Sequence, residues 1–445
     1  MRLDRPRLHG ETSTATADGF VIRHLAVLWA VAAALGAQGA IKVEVAAGEG
    51  GYTLVRDGVP YLVKGAGIGR VDVATVAERG GNSIRTWGVA GAEALLDAAH
   101  RHGLTVSLGL PVAAERFGFD YDDPASIARQ RQDVRNAVAS HKDHPALLAW
   151  IIGNELDMRF TNPRVYDEVN ELSKLIHELD PNHPTTTTIS ALDREMVELV
   201  RERAPDLDFV SIQAYGALAL MPKAVNYLRT GPFMITEWGP LGHWEVGKTR
   251  WGAPIEQTSA EKARHYLKSY RTFIEPFLGP GLGSYVFLWG QKQERTHTWF
   301  SLFTPDGEST SAVDVLQFVW TGRAPANQAP VLESLTLARR PAADSVRLVV
   351  GKRYNAKVNV TDPDGDALAY QWRVKPESTE TVVGGDVEAA IDDIPGLFVG
   401  DATQAEVALT APEVPGTYRL YVMAYDGQGH AAHANIPFLV YGKRR

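Results

Sequence analysis

The sequence predicts an α/β protein in which a (β/α)8 TIM barrel is followed by a small all-β sandwich of the immunoglobulin-like type. Eight short apolar runs, each followed by a segment with helical periodicity, extend over about 260 residues, the usual size of such a barrel. The runs are continuously apolar, as expected of parallel strands buried on both faces. An open doubly wound sheet is the alternative, but no glycine-rich dinucleotide fingerprint follows the first strand.

The barrel units are preceded by a short hairpin, which begins at residue 41 and contains an "RDG" turn. From about residue 62 the strand runs are YLVKGAGIG, NSIRTWG, LTVSLGLPV, ALLAWIIGNE, TTTTISA, DFVSIQAYG, PFMITEWGP and GSYVFLWGQ. The helical segments that follow them are, in the same order, VDVATVAERGG, AEALLDAAHRHG, SIARQRQDVRNAVASH, YDEVNELSKLIHELD, REMVELVRERA, PKAVNYLRTG, SAEKARHYLKSYRTFIEPF and SAVDVLQFVWTG. We therefore assign residues 41–321 to the barrel with its hairpin.

The helical rhythm stops at TGRAPANQAP, so residues 322–330 are predicted to be a linker. Short strand-like runs at about ten-residue spacing follow it, which is typical of an antiparallel sandwich over residues 331–445. These runs are SVRLVVG, YNAKVNVTD, LAYQWRV, AEVALTAP, GTYRLYVMAYD and ANIPFLVY.

The first 40 residues are predicted to be a signal peptide. Several arginines precede an apolar stretch from Leu25 to Ala40 that ends in small residues, with cleavage expected between Ala37 and Ala40. An uncleaved anchor is the alternative. We expect an exported protein, periplasmic or extracellular, without membrane contact once the leader is removed.

The composition excludes several classes of function. The net charge of −8 argues against nucleic acid or an anionic membrane surface as a partner. The chain has no cysteine, which excludes disulfides, thiolate catalysis and cysteine metal sites. No metal site and no cofactor are predicted, and the oligomeric state is left open. Ten Trp and fifteen Tyr are more than a core of this size needs, and aromatic grooves that stack on sugar rings are one use for them.

Polar side chains stand at the carboxyl ends of the predicted strands, where the active face of a parallel barrel lies. Glu155 ends the fourth strand and Glu237 the seventh, so that two carboxylates should face each other across one mouth. Two opposed carboxylates suit glycoside cleavage: one delivers a proton and the other attacks the anomeric carbon or activates water. Around them we predict substrate-binding roles for Arg85, Trp87, Asn154, Gln213, Tyr215, Trp238, Trp244, Trp251 and Trp289.

Structural roles remain open for several of these residues. Glu155 could cap a helix, Glu237 and Arg85 could form ion pairs at the rim, and the aromatic residues could pack in the core. Asp157 is interpreted as a loop or capping residue. Trp244 and Trp251 lie on the long loop after the seventh strand, where a substrate platform is the natural use of large apolar side chains.

The motifs GGNSIRTWG, WIIGNE, SIQAYG, MITEWG and YVFLWG together resemble the catalytic barrel of clan A glycoside hydrolases, the four–seven group. Family 2 and its relatives, including glucanosyltransferase-like barrels, are the nearest in wording, over roughly residues 42–320. The resemblance implies that Glu155 is the acid/base and Glu237 the nucleophile. The jelly-roll and immunoglobulin-like domains that precede the family 2 barrel are not seen here, so the resemblance does not supply a substrate.

We therefore predict an exported retaining β-glycoside hydrolase that acts on a β-glucan or related polysaccharide. A transglycosylase with the same two glutamates is the first alternative, and a non-catalytic carbohydrate-binding protein is the second. The C-terminal runs VTDPDGDALAYQWRV and YVMAYDGQGHAA resemble PKD or cadherin-like modules. Asp362, Asp364 and Asp366 could bind Ca²⁺ there, although a turn without metal explains the motif equally well.

Overall fold

The structure is a computed structural model that describes residues 39–69, 71–190, 192–279, 281–380 and 385–442. The predicted leader, up to residue 38, lies outside the described residues. Among the helices that the structure describes, none is both long enough and apolar enough to cross a membrane.

Eight parallel strands form a closed barrel, which confirms the predicted fold class. In chain order they are β4 (Val63–Ile68), β5 (Ser83–Arg85), β6 (Thr105–Leu110), β7 (Leu147–Ile152), β8 (Thr185–Ile189), β9 (Phe209–Gln213), β10 (Phe233–Trp238) and β11 (Gly283–Trp289). Each strand pairs with the next, and β11 pairs with β4 to close the barrel. All carboxyl ends therefore meet at one mouth.

Each barrel strand is followed by a helix on the outside of the barrel. The helices are α1 (Ala74–Glu78), α2 (Ala92–Arg101), α3 (Pro124–His141), α4 (Arg164–Leu179), α5 (Arg194–Arg203), α6 (Met221–Leu228), α7 (Ser259–Ser269) and α8 (Ser311–Thr321). Helix α7 begins at a capping box, in which the Thr258 side chain and the Glu261 side chain each bond the other's backbone N–H. The predicted helix over residues 259–277 is shorter than expected, because a π-turn at Tyr270–Ile274 interrupts it.

A three-stranded sheet closes the opposite end of the barrel. Its strands are β1 (Val43–Gly48), β2 (Gly51–Arg56) and β3 (Val59–Pro60). Val43 and Leu54 pack with Val63, Met234 and other residues near the strands' amino-terminal ends in a separate apolar cluster. Because this end is covered, access to the barrel interior is from the carboxyl-terminal mouth.

The C-terminal region is a sandwich of two four-stranded sheets. One sheet contains β12 (Val331–Leu337), β14 (Arg353–Thr361), β17 (Glu406–Thr410) and β16 (Phe398–Val399). The other contains β13 (Arg347–Val349), β19 (Ala431–Tyr441), β18 (Gly416–Tyr425) and β15 (Ala369–Pro376). The pairing is antiparallel except between β13 and β19, and the inner faces form one apolar core. Strands β12 and β16 were missing from the sequence-based prediction.

Buried polar contacts fix the sandwich to the barrel. Arg419 on β18 is fully buried and donates to the carbonyl of Pro254 at 2.9 Å. Asn435 on β19 donates to Glu256 at 2.6 Å, and Lys262 on α7 forms an ion pair with the same carboxylate at 2.5 Å. Burial opposes ionisation of Glu256, but Lys262 and the other neighbours outweigh it and lower its pKa to about 2. This fully buried network sets one orientation of the sandwich on the barrel.

The acidic turn of the sandwich brings together a slightly different set of aspartates from the predicted one. Carboxylate oxygens of Asp362, Asp366 and Asp426 lie within 4.8 Å of one another. Asp364 points elsewhere and accepts a hydrogen bond from the backbone N–H of Gln328 at 2.8 Å. The cluster also stabilises its own turn. The Asp362 carboxylate accepts hydrogen bonds from the backbone N–H groups of Asp364 and Asp366, as is common in turns formed by aspartate.

Candidate active site

Glu237 lies at the end of β10 and is held by three hydrogen-bond donors. Arg85 Nη1 and Trp87 Nε1 each donate to Oε1 at 2.9 Å, and the Tyr215 hydroxyl donates to Oε2 at 2.9 Å. The donors come from the ends of β5 and β9, on different sides of the mouth. Donors on both oxygens fix the orientation of a carboxylate. The Glu237 side chain is therefore held in one position at the mouth, which is what a nucleophile requires.

Tyr215 and Arg85 are themselves fixed by the barrel. Burial, and then the charge of Glu237, raise the pKa of Tyr215 well above its ordinary value, so its hydroxyl stays a neutral donor. Arg85 is fully buried and also donates to the backbone carbonyl of Thr236 at 2.8 Å. Its second nitrogen donates to Asn154 Oδ1 at 2.6 Å. One guanidinium thus links the ends of β7 and β10.

Asn154 presents its amide nitrogen for a ligand. Its oxygen accepts from Arg85 and from Gln213 Nε2, the latter at 2.7 Å, and the residue borders the cleft. With the oxygen engaged, the NH2 group is the part that can donate to a substrate hydroxyl. Gln213 is almost fully buried and positions Asn154 from behind.

Glu155 follows Asn154 in a tight turn after β7. Gly153 and Glu155 have φ values of 73° and 47°, a left-handed conformation that is uncommon for a residue with a side chain. The turn is held because the N–H of Glu155 donates to Thr188 Oγ1 at 2.9 Å and its carbonyl accepts from Arg116 at 2.7 Å. This backbone conformation points the side chain at the cleft rather than at the next helix, which excludes the capping role considered above.

The environment of Glu155 favours the protonated form. Burial is the main cause and raises its pKa well above the ordinary value. The negative charges of Glu237 and Asp157 act in the same direction, and Arg116 and Arg85 oppose them only in part. The two glutamates are therefore in contrasting environments: one is surrounded by donors, while the other is buried beside like charges. This difference is what separates an acid from a nucleophile.

A cleft of about 710 Å³ joins the two glutamates, within the usual range for small-molecule sites. Trp87, Tyr215, Trp244 and Phe287 form its aromatic walls. Its polar lining includes Ser190, His243, Gln291, Lys292 and Glu294, and Gly385 of the sandwich also borders it.

The predicted residues Glu155, Glu237, Arg85, Trp87, Asn154, Gln213, Tyr215 and Trp244 are gathered at this cleft, either lining it or bonded to residues that do. Asp157 binds the backbone and hydroxyl of Ser190, in agreement with a structural role. The prediction missed His243, Phe287, Lys292 and Glu294, although the polar run after β11 could have suggested the last two.

Three tryptophans predicted to bind substrate do not line the cleft. Trp238 is fully buried and packs against Tyr266 of α7 with ring centroids 5.5 Å apart. Trp289 is fully buried and stacks on Trp320 of α8 at 5.6 Å. Both side chains thus face the helices. Trp251 is half-buried in a turn next to the sandwich, where the Arg250 N–H donates to Ser345.

Trp244 remains the candidate for a sugar platform. It is 52% exposed, and its ring lies edge-on to Tyr215 with centroids 5.6 Å apart. Trp244→Ala should weaken cleavage of an oligosaccharide roughly fivefold, since stacking contributes about 1 kcal/mol, and should spare a small aryl glycoside. Trp251→Ala is the matched control, expected to lower the melting temperature without changing the ratio of kcat/KM values for the two substrates. Equal losses on both substrates for Trp244→Ala would assign that residue to the fold.

Comparison with known proteins shows which family the barrel resembles. Residues 70–247 match the family described as "Glycosyl hydrolases family 2, TIM barrel domain". This part of the barrel is therefore similar to the barrel domain of that family. This confirms the resemblance drawn from the strand-end motifs, and Asn154, Glu155 and Glu237 all lie within the matched range.

The proteins to which this chain is similar include β-glucuronidases. A β-glucuronidase of Bacteroides fragilis is 31% identical over 119 residues, which are 26% of this chain and 17% of that protein. The solved β-glucuronidase of Ruminococcus gnavus has a TM-score of 0.50 at 16% identity, covering 64% of this chain and 53% of its own. That of Dictyoglomus thermophilum has a TM-score of 0.49 at 16% identity, covering 64% and 54%. The chain thus spans about half of each of these structures, and the Ruminococcus gnavus enzyme shares its fold.

Proposed function

We propose that this protein is a retaining β-glycoside hydrolase that works by double displacement. The observation that carries the proposal is the pair of glutamates in one cleft, with Glu237 bound by three donors and Glu155 buried beside like charges. In the first step, Glu155 protonates the glycosidic oxygen while a Glu237 oxygen attacks the anomeric carbon. The leaving sugar departs and a glycosyl ester forms on Glu237.

The second step uses the coupling between the two carboxylates. Once Glu237 is an ester, its negative charge no longer acts on Glu155, and one cause of the raised pKa of Glu155 disappears. Glu155, now deprotonated, can remove a proton from the water that hydrolyses the ester. The Tyr215 hydroxyl and the Arg85 guanidinium stabilise the departing carboxylate of Glu237 when the ester breaks.

The substrate that we propose is a β-linked glucan or a related oligosaccharide. The aromatic walls suit the apolar faces of sugar rings. Lys292 is the one Lys or Arg side chain among the described residues that line the cleft, and it already forms an ion pair with Glu294 at 2.9 Å. A neutral sugar fits this lining better than an acidic one, in contrast to the glucuronides of the named relatives. Export, proposed from the N-terminal leader, would place such an enzyme where polysaccharides are met.

Product analysis tests this proposal. The protein should release product from at least one member of a panel of β-glucans and aryl β-glucosides, β-galactosides and β-glucuronides. NMR of the first product should show the β-anomer, because two successive displacements at the anomeric carbon retain its configuration. An α-anomer formed first would exclude double displacement. Products longer than the substrate would assign the same pair of glutamates to transglycosylation, and binding without any turnover would favour a carbohydrate-binding protein.

A further inference from the structure

The C-terminal sandwich reaches the mouth of the barrel through the connection between β15 and β16. The segment Gly385–Glu388 of this connection, here called the sandwich segment, lies against the active face, and Gly385 borders the cleft. Nothing in the sandwich sequence indicated such a position.

The sandwich segment is bonded to the barrel loop that follows β11. The carbonyl of Gly385 accepts a hydrogen bond from Lys292 Nζ. The Glu388 carboxylate, largely buried, accepts from the backbone N–H of Arg295 at 2.9 Å. Arg295 has a φ of 60°, and this uncommon conformation needs support from its surroundings. The sandwich thus holds the loop that presents Lys292 and Glu294 to the cleft.

The same segment approaches the loop after β6 on the other side. Asp386 lies 3.6 Å from Arg116, measured from Oδ1 to Nη2. Arg116 also donates to the carbonyl of Glu155. The sandwich segment therefore contacts two loops of the mouth, one on each side, and the second of them supports the turn that carries the acid/base.

The strand order and the loop lengths show which side of the mouth the sandwich segment covers. Strands β4 and β5 lie between β11 and β6 around the barrel. Their loops to α1 and α2 are short, whereas the loop after β10 runs through residues 239–258 and the one after β11 through residues 290–310. Because the loops after β4 and β5 are short, they form little of the cleft on this side of the mouth. The sandwich segment lies between the longer loops after β11 and β6 and borders the cleft there.

We propose that the sandwich segment is one wall of the substrate cleft and contacts a sugar unit beyond the one at the cleaved bond. The ligand class is a neutral sugar, bound by the backbone polar groups around Gly385 and by the neighbouring Lys292. This inference rests on the proposed glycosidase function. It makes the sandwich a part of the active site rather than a docking module carried behind it.

The absence of cysteine in the chain allows a direct test by labelling. Val387 is 93% exposed within the segment, so Val387→Cys should fold normally and give one reactive thiol. Val414, 68% exposed in the turn before β18, is the matched control as Val414→Cys. Each variant is treated with a bulky maleimide in the presence and absence of an oligosaccharide or of a small competitive sugar. Melting temperature and kcat/KM on an oligosaccharide and on an aryl glycoside are then measured.

The proposal predicts that oligosaccharide slows labelling at position 387 but not at 414. The label at 387 should lower kcat/KM for the oligosaccharide about tenfold, the equivalent of one lost subsite contact of ~1.4 kcal/mol, and leave the aryl glycoside nearly unchanged. The proposal would be overturned if oligosaccharide did not slow labelling at position 387 and the label did not change kcat/KM. It would also be overturned if the label lowered kcat/KM equally for both substrates and lowered the melting temperature. If the parent protein had no activity on any glycoside, the proposed glycosidase function would be refuted instead. Protection of position 387 by oligosaccharide would then still show whether the sandwich segment contacts the sugar.

Discussion

Glu237→Gln should abolish turnover on every substrate, with a fall in kcat of about 10⁴-fold or more, as removal of the nucleophile does in other covalent enzymes. Glutamine has nearly the same shape and can still accept from Arg85, so the cleft should keep its structure. An amide oxygen cannot form the glycosyl ester, however, and a good leaving group does not help when the first step has no nucleophile. Steady-state assays with aryl glycosides of decreasing leaving-group pKa measure this directly.

A matched control separates loss of chemistry from loss of fold. Glu168 on α4 is a comparably buried carboxylate, paired with Arg131 at 2.5 Å, and it does not line the cleft. Glu168→Gln should lower the melting temperature and leave kcat nearly unchanged, because the two-pronged ion pair between Arg131 and this carboxylate is lost. Residual turnover of Glu237→Gln within about tenfold of the parent would exclude Glu237 as the nucleophile.

The fold could be predicted because barrel strands and helices differ in length and periodicity, and because a parallel barrel brings all strand ends to one mouth. That rule alone placed Glu155 and Glu237 together. The side to which each strand-end residue points could not be predicted in the same way. Barrel strands are apolar on both faces, so hydrophobicity does not distinguish inward from outward positions.

The tryptophans at the ends of β10 and β11 show the physical reason. The pairing of β10 with β9 and of β11 with β4 shifts register within the last residues of each strand. Such irregularities break strict alternation, so Phe287 borders the cleft while Trp289, two residues later, faces α8. Gly385 was beyond prediction for another reason, since it reaches the cleft only through the packing of a second domain.

Replacement of Glu155 should have an effect that depends on the leaving group. Glu155→Gln removes the proton donor, so glycosides with poor leaving groups should lose about 10²–10⁴-fold in kcat/KM, the usual contribution of general acid catalysis. Aryl glycosides that leave as stable phenolates need no proton, and their first step should persist. The glycosyl ester should then accumulate, giving a burst of phenol followed by slow turnover, because no base activates water.

The pH dependence follows from the direction of the pKa shift. The pKa of Glu155 is raised in the folded protein, chiefly by burial, so the acid form is lost only as pH rises through that raised value. The parent enzyme should lose activity on this alkaline limb, and Glu155→Gln should lose the limb itself. The same shift means that folding favours the protonated carboxyl, so stability declines as pH rises through the folded-state pKa. Glu155→Gln should therefore melt no lower than the parent at alkaline pH.

Azide distinguishes the two glutamates by the configuration of the product. In Glu155→Ala, azide can replace water in the second step and attack the ester on Glu237, so the expected product is the β-glycosyl azide. In Glu237→Ala, azide can enter where the nucleophile stood and react in a single displacement while Glu155 protonates the leaving group, so the expected product is the α-glycosyl azide. NMR of the two products tests both roles at once. If both variants gave the same anomer, or if the two anomers were exchanged, the roles assigned to the two glutamates would be wrong. Those roles were derived from the three donors around Glu237 and from the burial of Glu155, and each environment is suited to only one of the two steps.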